Sequence, residues 1–242
     1  MSINKHIPNI VTLGNLFCGT LAAIFAVGGH FEMTALFVVL GVFLDFFDGF
    51  FARVLKVSGE LGKQLDSLAD MVTSGVVPGI VLFVLLVNNQ QLPYDIHAEF
   101  KISMGLPLIG LLVTLAACYR LAKFNLDTRQ SESFIGLPTP AMSLFIVSLP
   151  LVQMHSDIDF VKDLIGNNYF LIGITILFSF LMNSEFYLFS LKFKNYGIRE
   201  NLFKYTLILL SIILLVTIEY LAVPVIIMCY VILSMLKNMK KV

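Results

Sequence analysis

Four aspartates and an arginine interrupt one of the most apolar parts of this chain. The stretch LDFFDGFFARVLKVSGELGKQLDSLAD runs from Leu44 to Asp70 and sets Asp45 three residues before Asp48, and Asp66 four before Asp70. On helices, either spacing puts both carboxylates on one face. The segment KVSGELG between the pairs can reverse the chain, so that two antiparallel helices bring all four acids into one small volume. Carboxylates beside hydrocarbon do not stay charged and unpaired, because desolvating them is expensive. They are protonated, matched by bases, or bound to cations. Only Arg53 is close in sequence. An all-oxygen donor set suits a hard ion, Mg²⁺ or Mn²⁺, rather than zinc, since no thiolate or imidazole is at hand.

The small residues around the acids point to a bulky ligand. Gly49 and Ala52 flank Asp48, and Gly62 precedes Asp66 by one helical turn. A glycine inside a helix costs about 1 kcal/mol relative to alanine, so something is expected to approach the backbone there. Arg53 offers a planar fork that matches phosphate. Carboxylates, divalent ions, a clear helix face and an arginine together describe a site for a diphosphate. Two ions would bind it and stabilise the charge on a leaving group. Two plainer readings compete. Intramembrane acids also serve proton relays or cation pathways, and helix glycines also serve close helix packing. Neither accounts for the arginine and the spacing together.

These residues sit in a chain built for lipid. Of its 242 residues, 58% are hydrophobic and only 13% charged, too little polar surface for a soluble domain of this length. The expected fold is all-α, a polytopic membrane bundle of about eight spans with one cleft facing the cytoplasm. The spans fall near Pro8–Val27, Phe31–Leu55, Leu65–Val87, Met104–Phe124, Leu137–Met154, Tyr169–Ser184, Leu202–Tyr220 and Ala222–Leu236. A tight turn near Tyr220–Pro224 separates the last two, and another count would merge or drop one span. Residues 1–242 read as a single integral membrane domain, with a catalytic core over about 8–200 and extra C-terminal helices over about 202–236. The first span lacks a cleavage site and reads as retained. Zero net charge and the absence of a basic domain argue against nucleic acid as a partner. Cys18, Cys118 and Cys229 are scattered and read as small buried hydrophobes. The four histidines are isolated and read as interface or loop residues.

Basic residues orient the bundle. With the N-terminus in the cytoplasm, 16 Lys and Arg residues divide so that only Lys101 and Lys162 lie outside. That asymmetry obeys the positive-inside rule and favours an even span count with both termini in the cytoplasm. The aspartates then sit at the cytoplasmic ends of the second and third spans. In the first span Asn9, Thr12, Asn15 and Gly19 recur at helical steps and form one polar, small stripe. It serves either interhelical hydrogen bonding or contact with the ligand.

Written out, the acidic stretch is D-x-x-D-G-x-x-A-R-x8-G-x-x-x-D-x-x-x-D, filled by Asp45, Asp48, Gly49, Ala52, Arg53, Gly62, Asp66 and Asp70. All eight positions match the signature of the CDP-alcohol phosphotransferase family, which the chain resembles over most of its length and more weakly after about Lys204. IPNIVTLGNLFCG near the start, RLAKFN at Arg120–Asn125, FIGLPTP at Phe134–Pro140 and LMNSEFYLFSLKFK after the sixth span resemble the phosphatidylserine synthase branch.

The resemblance implies phospholipid biosynthesis, with transfer of the phosphatidyl group from CDP-diacylglycerol to L-serine and release of CMP. It implies that Asp45, Asp48, Asp66 and Asp70 bind two Mg²⁺ or Mn²⁺ ions, and that Asp70 is also the general base. It implies that Asp48, Gly49, Ala52, Arg53, Gly62 and Asp66 line the nucleotide, with Asn9 and Thr12 beside it, and that the protein is a homodimer. Serine carries a carboxylate and needs a cation near the metals. Arg120 and Lys123, at i, i+3 on the inner end of the fourth span, are the candidates, although anchoring at the membrane surface explains them equally. Sister activities on glycerol 3-phosphate or an inositol phosphate are the alternatives within the family, and a cation or proton transporter is the alternative outside it.

Overall fold

A computed structural model describes residues 6–57, 59–90, 105–127, 133–189, 197 and 201–239. Helix α1 (Ile7–Val27) opens with Pro8 in its first turn, where a missing N–H costs nothing. Its buried residues are Pro8, Thr12, Asn15, Cys18, Gly19, Ala22 and Ala26. They recur every three or four positions, so the small, polar stripe faces protein. Ile10, Leu13, Phe17 and Ile24 face outward. Helix α2 (Phe31–Val54) returns against α1 after a turn in which Gly29 takes φ +72°. It buries a thin line of Phe31, Thr34, Val38, Gly41 and Asp48 and exposes Phe43, Phe46 and Phe50. Polar groups turned inward and phenylalanines turned outward is the pattern of a helix solvated by lipid.

The next helical run spans 30 residues, Glu60–Asn89. It consists of α3 (Glu60–Met71), a π-helical turn (Val72–Val76) and α4 (Val77–Asn89). The two ends differ in chemistry. α3 carries Lys63, Gln64, Asp66, Ser67 and Asp70, whereas α4 buries Val77, Val81, Leu82, Val84, Leu85, Leu86 and Val87 in the core. The expected third span near Leu65–Val87 therefore starts earlier, as a polar extension that carries half of the acids.

Helix α5 (Leu112–Leu126) follows a 3₁₀ turn at Pro107–Leu111. Strand β1 (Ser133–Ile135), α6 (Thr139–His155), α7 (Asp159–Ile165), α8 (Asn168–Asn183), β2 (Tyr187–Phe189), α9 (Leu202–Ile218) and α10 (Ala222–Met239) complete the chain. The two strands form an antiparallel ribbon in which Ser133 pairs with Phe189 and Ile135 with Tyr187. Its segments read as loops in the sequence because three-residue strands have no detectable alternation. Gly136 leaves the ribbon at φ +73°, and a side chain there would strike the Met182 carbonyl. Its N–H donates to the Phe186 carbonyl at 2.9 Å, and that of Leu137 to Leu181 at 2.9 Å. The GLPTP turn is thus bolted to the end of α8, and α6 begins at Thr139 between Pro138 and Pro140.

The chain is an integral membrane protein with a nearly all-helical fold. Among the described residues, five helices are long and apolar enough to cross a membrane, or six if the pair α7 and α8, bent by 69°, is one span. The expected count of eight is not reached on this criterion. α6 has 17 residues, a short crossing. Leu202–Asn238 is a helical run of 37 residues, broken only by the 3₁₀ turn Glu219–Leu221, where Glu219 takes φ 46°. Met104, which opens the expected fourth span, and Lys5, Lys101, Arg129, Lys192, Lys194, Arg199, Lys240 and Lys241 of the charge count lie outside the described residues.

The two ends of α6 define the two ends of the bundle. At its C-terminus, His155 lies 3.0 Å from Glu32 and stacks on Tyr220 with ring centroids 4.7 Å apart. A cavity of about 260 Å³ opens there, lined by His155, Asp157, Glu219 and Tyr220 among others. At its N-terminus, Thr139 meets Arg120. The aspartates belong to this second end, a helix length away from that cavity.

Candidate active site

Asp45 and Asp48 come from the last turns of α2, and Asp66 and Asp70 from α3, which crosses α1 and runs on into the π turn. Single oxygens of Asp45, Asp48 and Asp66 lie within 4.8 Å of one another. Asp48 is buried, at 6% exposure, and the other two are half-buried. Among the described residues none of the four aspartates forms an ion pair. Close carboxylates without a basic partner repel one another in a poorly solvated place. An all-oxygen set of this size has the donor chemistry for a hard divalent ion.

Asp70 stands outside that set and is held by α1. The fully buried Asn15 donates from Nδ2 to Asp70 Oδ1 at 3.3 Å. Thr73, in the π turn, lies with Oγ1 2.7 Å from Asn15 Oδ1 and donates to it. Thr12, also on α1, donates to Asp48 Oδ2 at 2.5 Å, with the Pro8 carbonyl 3.0 Å away. The stripe on α1 thus supplies one side chain to an acid of each pair. Thr12 was legible as a site residue in the sequence. Asn15 was legible only as a member of the stripe, and Thr73 not at all.

Glycines shape the approach of the helices. A Cβ on Gly41 would sit 2.8 Å from Thr73 Cγ2 and 2.9 Å from Asn15 Oδ1, and one on Gly19 would overlap the Thr73 hydroxyl. Thr73 therefore occupies a notch cut by two glycines of α1 and α2. Gly62 faces Asn9, whose Oδ1 would be 3.3 Å from an added Cβ, and a Cβ on Gly49 would meet Arg53 Nη1 at 3.6 Å. Ala52 is half-buried one turn beyond Asp48, and Arg53 is exposed at the end of α2. The face bearing Gly49 and Arg53 is open enough to admit a ligand.

The two basic candidates on α5 part company. Arg120 is buried, at 7% exposure, with Phe124 5.6 Å beneath its guanidinium. Nη1 donates to Thr139 of the GLPTP turn at 3.4 Å, whereas Nε is buried without a partner among the described residues. Asp70 lies within electrostatic reach of it. Lys123 turns instead to Glu185, 4.0 Å away. Both line a small recess with Phe124, Ile135, Met182, Asn183 and Ser184. Beside it, Lys63 donates to the Asn125 carbonyl at 2.6 Å and Asn125 donates to Ser67 at 2.8 Å, tying α5 to the helix that carries Asp66 and Asp70.

Residues 5–186 match the profile of the CDP-alcohol phosphatidyltransferase family. The chain belongs to that family. Divalent-metal dependence is general in the family, in keeping with the oxygen donors of Asp45, Asp48 and Asp66. The chain is 35% identical over 149 residues to the CDP-diacylglycerol–serine O-phosphatidyltransferase of Bacillus subtilis, covering 60% of this chain and 75% of that one. It is 32% identical over 148 residues to the enzyme of the same name from Helicobacter pylori strain J99, covering 60% and 57%. An archaetidylserine synthase of Methanothermobacter thermautotrophicus is 27% identical over 155 residues, covering 63% and 60%. The family match takes in all four aspartates, Arg53, Arg120 and the first strand of the ribbon, and stops just before β2.

Proposed function

We propose that this protein makes phosphatidylserine, transferring the phosphatidyl group of CDP-diacylglycerol to the hydroxyl of L-serine and releasing CMP. The observation that carries this reading is the convergence of Asp45, Asp48 and Asp66 without a basic partner among the described residues, inside a matched family signature. The names of the bacterial relatives support serine as acceptor. Asp45, Asp48, Asp66 and Asp70 would hold two Mg²⁺ or Mn²⁺ ions. Bound there, the ions would neutralise the diphosphate and the charge developing on CMP. Arg53 adds a fork for phosphate oxygen, while Gly49, Ala52 and Gly62 keep the ligand face low. Asn9 and Thr12 border it from α1. The serine oxygen bonds to the phosphorus of the phosphatidyl group, the bond from that phosphorus to CMP breaks, and Asp70 takes the hydroxyl proton. A carboxylate serves as base here because it need only accept the proton as the new O–P bond forms.

The catalytic core is residues 8–200 or so, with 202–236 as added helices. The positive-inside rule places both termini and the site in the cytoplasm, where serine enters and CMP leaves while acyl chains stay in lipid. The active form is a homodimer. To test the activity, labelled serine, glycerol 3-phosphate and inositol phosphate are offered in parallel with CDP-diacylglycerol. Label is expected in chloroform-soluble lipid with serine alone. Incorporation of a phosphorylated acceptor instead would assign a sister activity.

Arg120 is the acceptor's cation in this reading. It is buried, keeps one N–H without a partner among the described residues, and bonds Thr139 of the GLPTP turn within electrostatic reach of Asp70. Arg120→Ala is expected to remove a charge-assisted pair with the serine carboxylate, about 2–3 kcal/mol or roughly a 30- to 150-fold rise in KM for serine. KM for CDP-diacylglycerol should change little. Steady-state kinetics with each substrate varied in turn check this. An unchanged KM for serine would return Arg120 to a structural role.

A further inference from the structure

The π turn begins two residues after Asp70, and the polar groups around it form one connected set. A π turn widens the helix and loosens its own hydrogen bonding. Here neighbouring helices supply what is missing. Ser143 of α6 donates to the Thr73 carbonyl at 3.3 Å, and Thr114 of α5 donates to the Gly75 carbonyl at 2.9 Å. From α1, Asn15 meets the Thr73 hydroxyl on one side of its amide and Asp70 on the other. Asn15, Thr73 and Ser143 are all buried. Asp70 and Thr73 both meet Asn15, so both face the same stretch of α1.

The two contacts of Asn15 agree on one amide orientation. The Thr73 hydroxyl donates to Oδ1, which leaves the NH₂ group facing the carboxylate. A reversed amide would set Oδ1 against Asp70, acceptor against acceptor. We propose that Asn15 and Thr73 are positioning residues for the transfer: Thr73 fixes the amide of Asn15, and Asn15 holds Oδ1 of Asp70 so that Oδ2 is left to take the acceptor's proton. This rests on Asp70 being the base. The notch made by Gly19 and Gly41 then has a reason, because only glycine lets Thr73 come this close to α1 and α2.

Thr73 has two parts that can be removed separately. Its methyl group fills the notch at Gly41, and its hydroxyl bonds Asn15. Thr73→Val keeps the methyl and loses the hydroxyl, while Thr73→Ser does the reverse. The positioning role predicts that kcat per folded molecule falls about tenfold in Thr73→Val, the scale of one hydrogen bond, and stays within about twofold of the parent in Thr73→Ser. KM for both substrates should be unchanged. Asn15→Ala should lower kcat about a hundredfold, the scale of a misplaced reacting group, with CMP binding by calorimetry retained. Folded fraction is followed by melting in detergent. If Thr73 only packs, the order reverses, with Thr73→Val at parental kcat and Thr73→Ser the less stable. That result, or equal loss in both variants, overturns the proposal, and so does full activity of Asn15→Ala. Activity in Asp70→Asn would instead remove the premise that Asp70 is the base, so the two failures read differently.

Discussion

Asp70→Asn is expected to lose about 10²- to 10⁴-fold in kcat, the range general-base catalysis supplies, while the protein stays folded. The structure gives reasons for both halves. Asparagine has nearly the volume of aspartate, and its carbonyl oxygen still accepts the hydrogen bond that Asn15 donates to Oδ1. The contact between α1 and α3 therefore survives. What disappears is the second carboxylate oxygen, because an amide NH₂ donates and cannot take a proton from a hydroxyl. Three of the four proposed metal ligands, Asp45, Asp48 and Asp66, stay clustered, so nucleotide binding should remain measurable. The measurement is CMP binding by calorimetry beside turnover in the same detergent. Retained binding with lost turnover is the expected pair. Turnover near that of the parent would assign the proton to another group.

How much of this was legible in the sequence depended on the kind of interaction. The acids were legible because helical spacing is a local property, and Asp45 and Asp48 share a face whatever packs against them. The helical, membrane-embedded class was legible from composition for the same reason. Asn15 was half legible. Its place in a polar stripe followed from the spacing, but its partner, 55 residues away, depended on how α1 crosses α3. Thr73 was invisible because a π turn has no sequence period of its own and shifts the face of every residue after it. The neighbour of Lys123 was hidden for a similar reason. The i, i+3 spacing gave it the face of Arg120, but Glu185 reaches it from beyond α8. The span count suffered most, since a bent pair, a 17-residue helix and a 37-residue run do not divide by hydropathy alone.

Metal removal should produce the other large effect, and Asp45 separates the metal from the fold. Chelation with EDTA is expected to abolish turnover in the parent, with activity returning on addition of Mg²⁺ or Mn²⁺. Asp48 is a poor residue for dissecting this, because Thr12 bonds its carboxylate and a substitution would also disturb α1. Asp45 is half-buried on the same face of α2, one turn nearer the middle of the helix. Asp45→Asn keeps the shape and removes one charge from a set of three close carboxylates. Two consequences oppose each other. The apo protein gains, because like charges in a poorly solvated place repel. The metal-bound protein loses, because a hard ion holds a neutral amide oxygen less tightly than a carboxylate. Asp45→Asn should therefore melt at or above the parent without metal, and gain less on adding it. A ligand that binds only the folded state stabilises it by RT ln(1 + [L]/Kd), about 2.7 kcal/mol at a hundredfold excess over Kd. A tenfold weaker site should lose about 1.4 kcal/mol of that gain. Its activity should return at higher Mg²⁺ or Mn²⁺ concentrations than the parent needs. Equal metal-induced shifts in melting would exclude Asp45 as a ligand. A parent enzyme that turns over normally in EDTA would remove the ions from the site altogether and leave the four acids to be explained by proton movement alone.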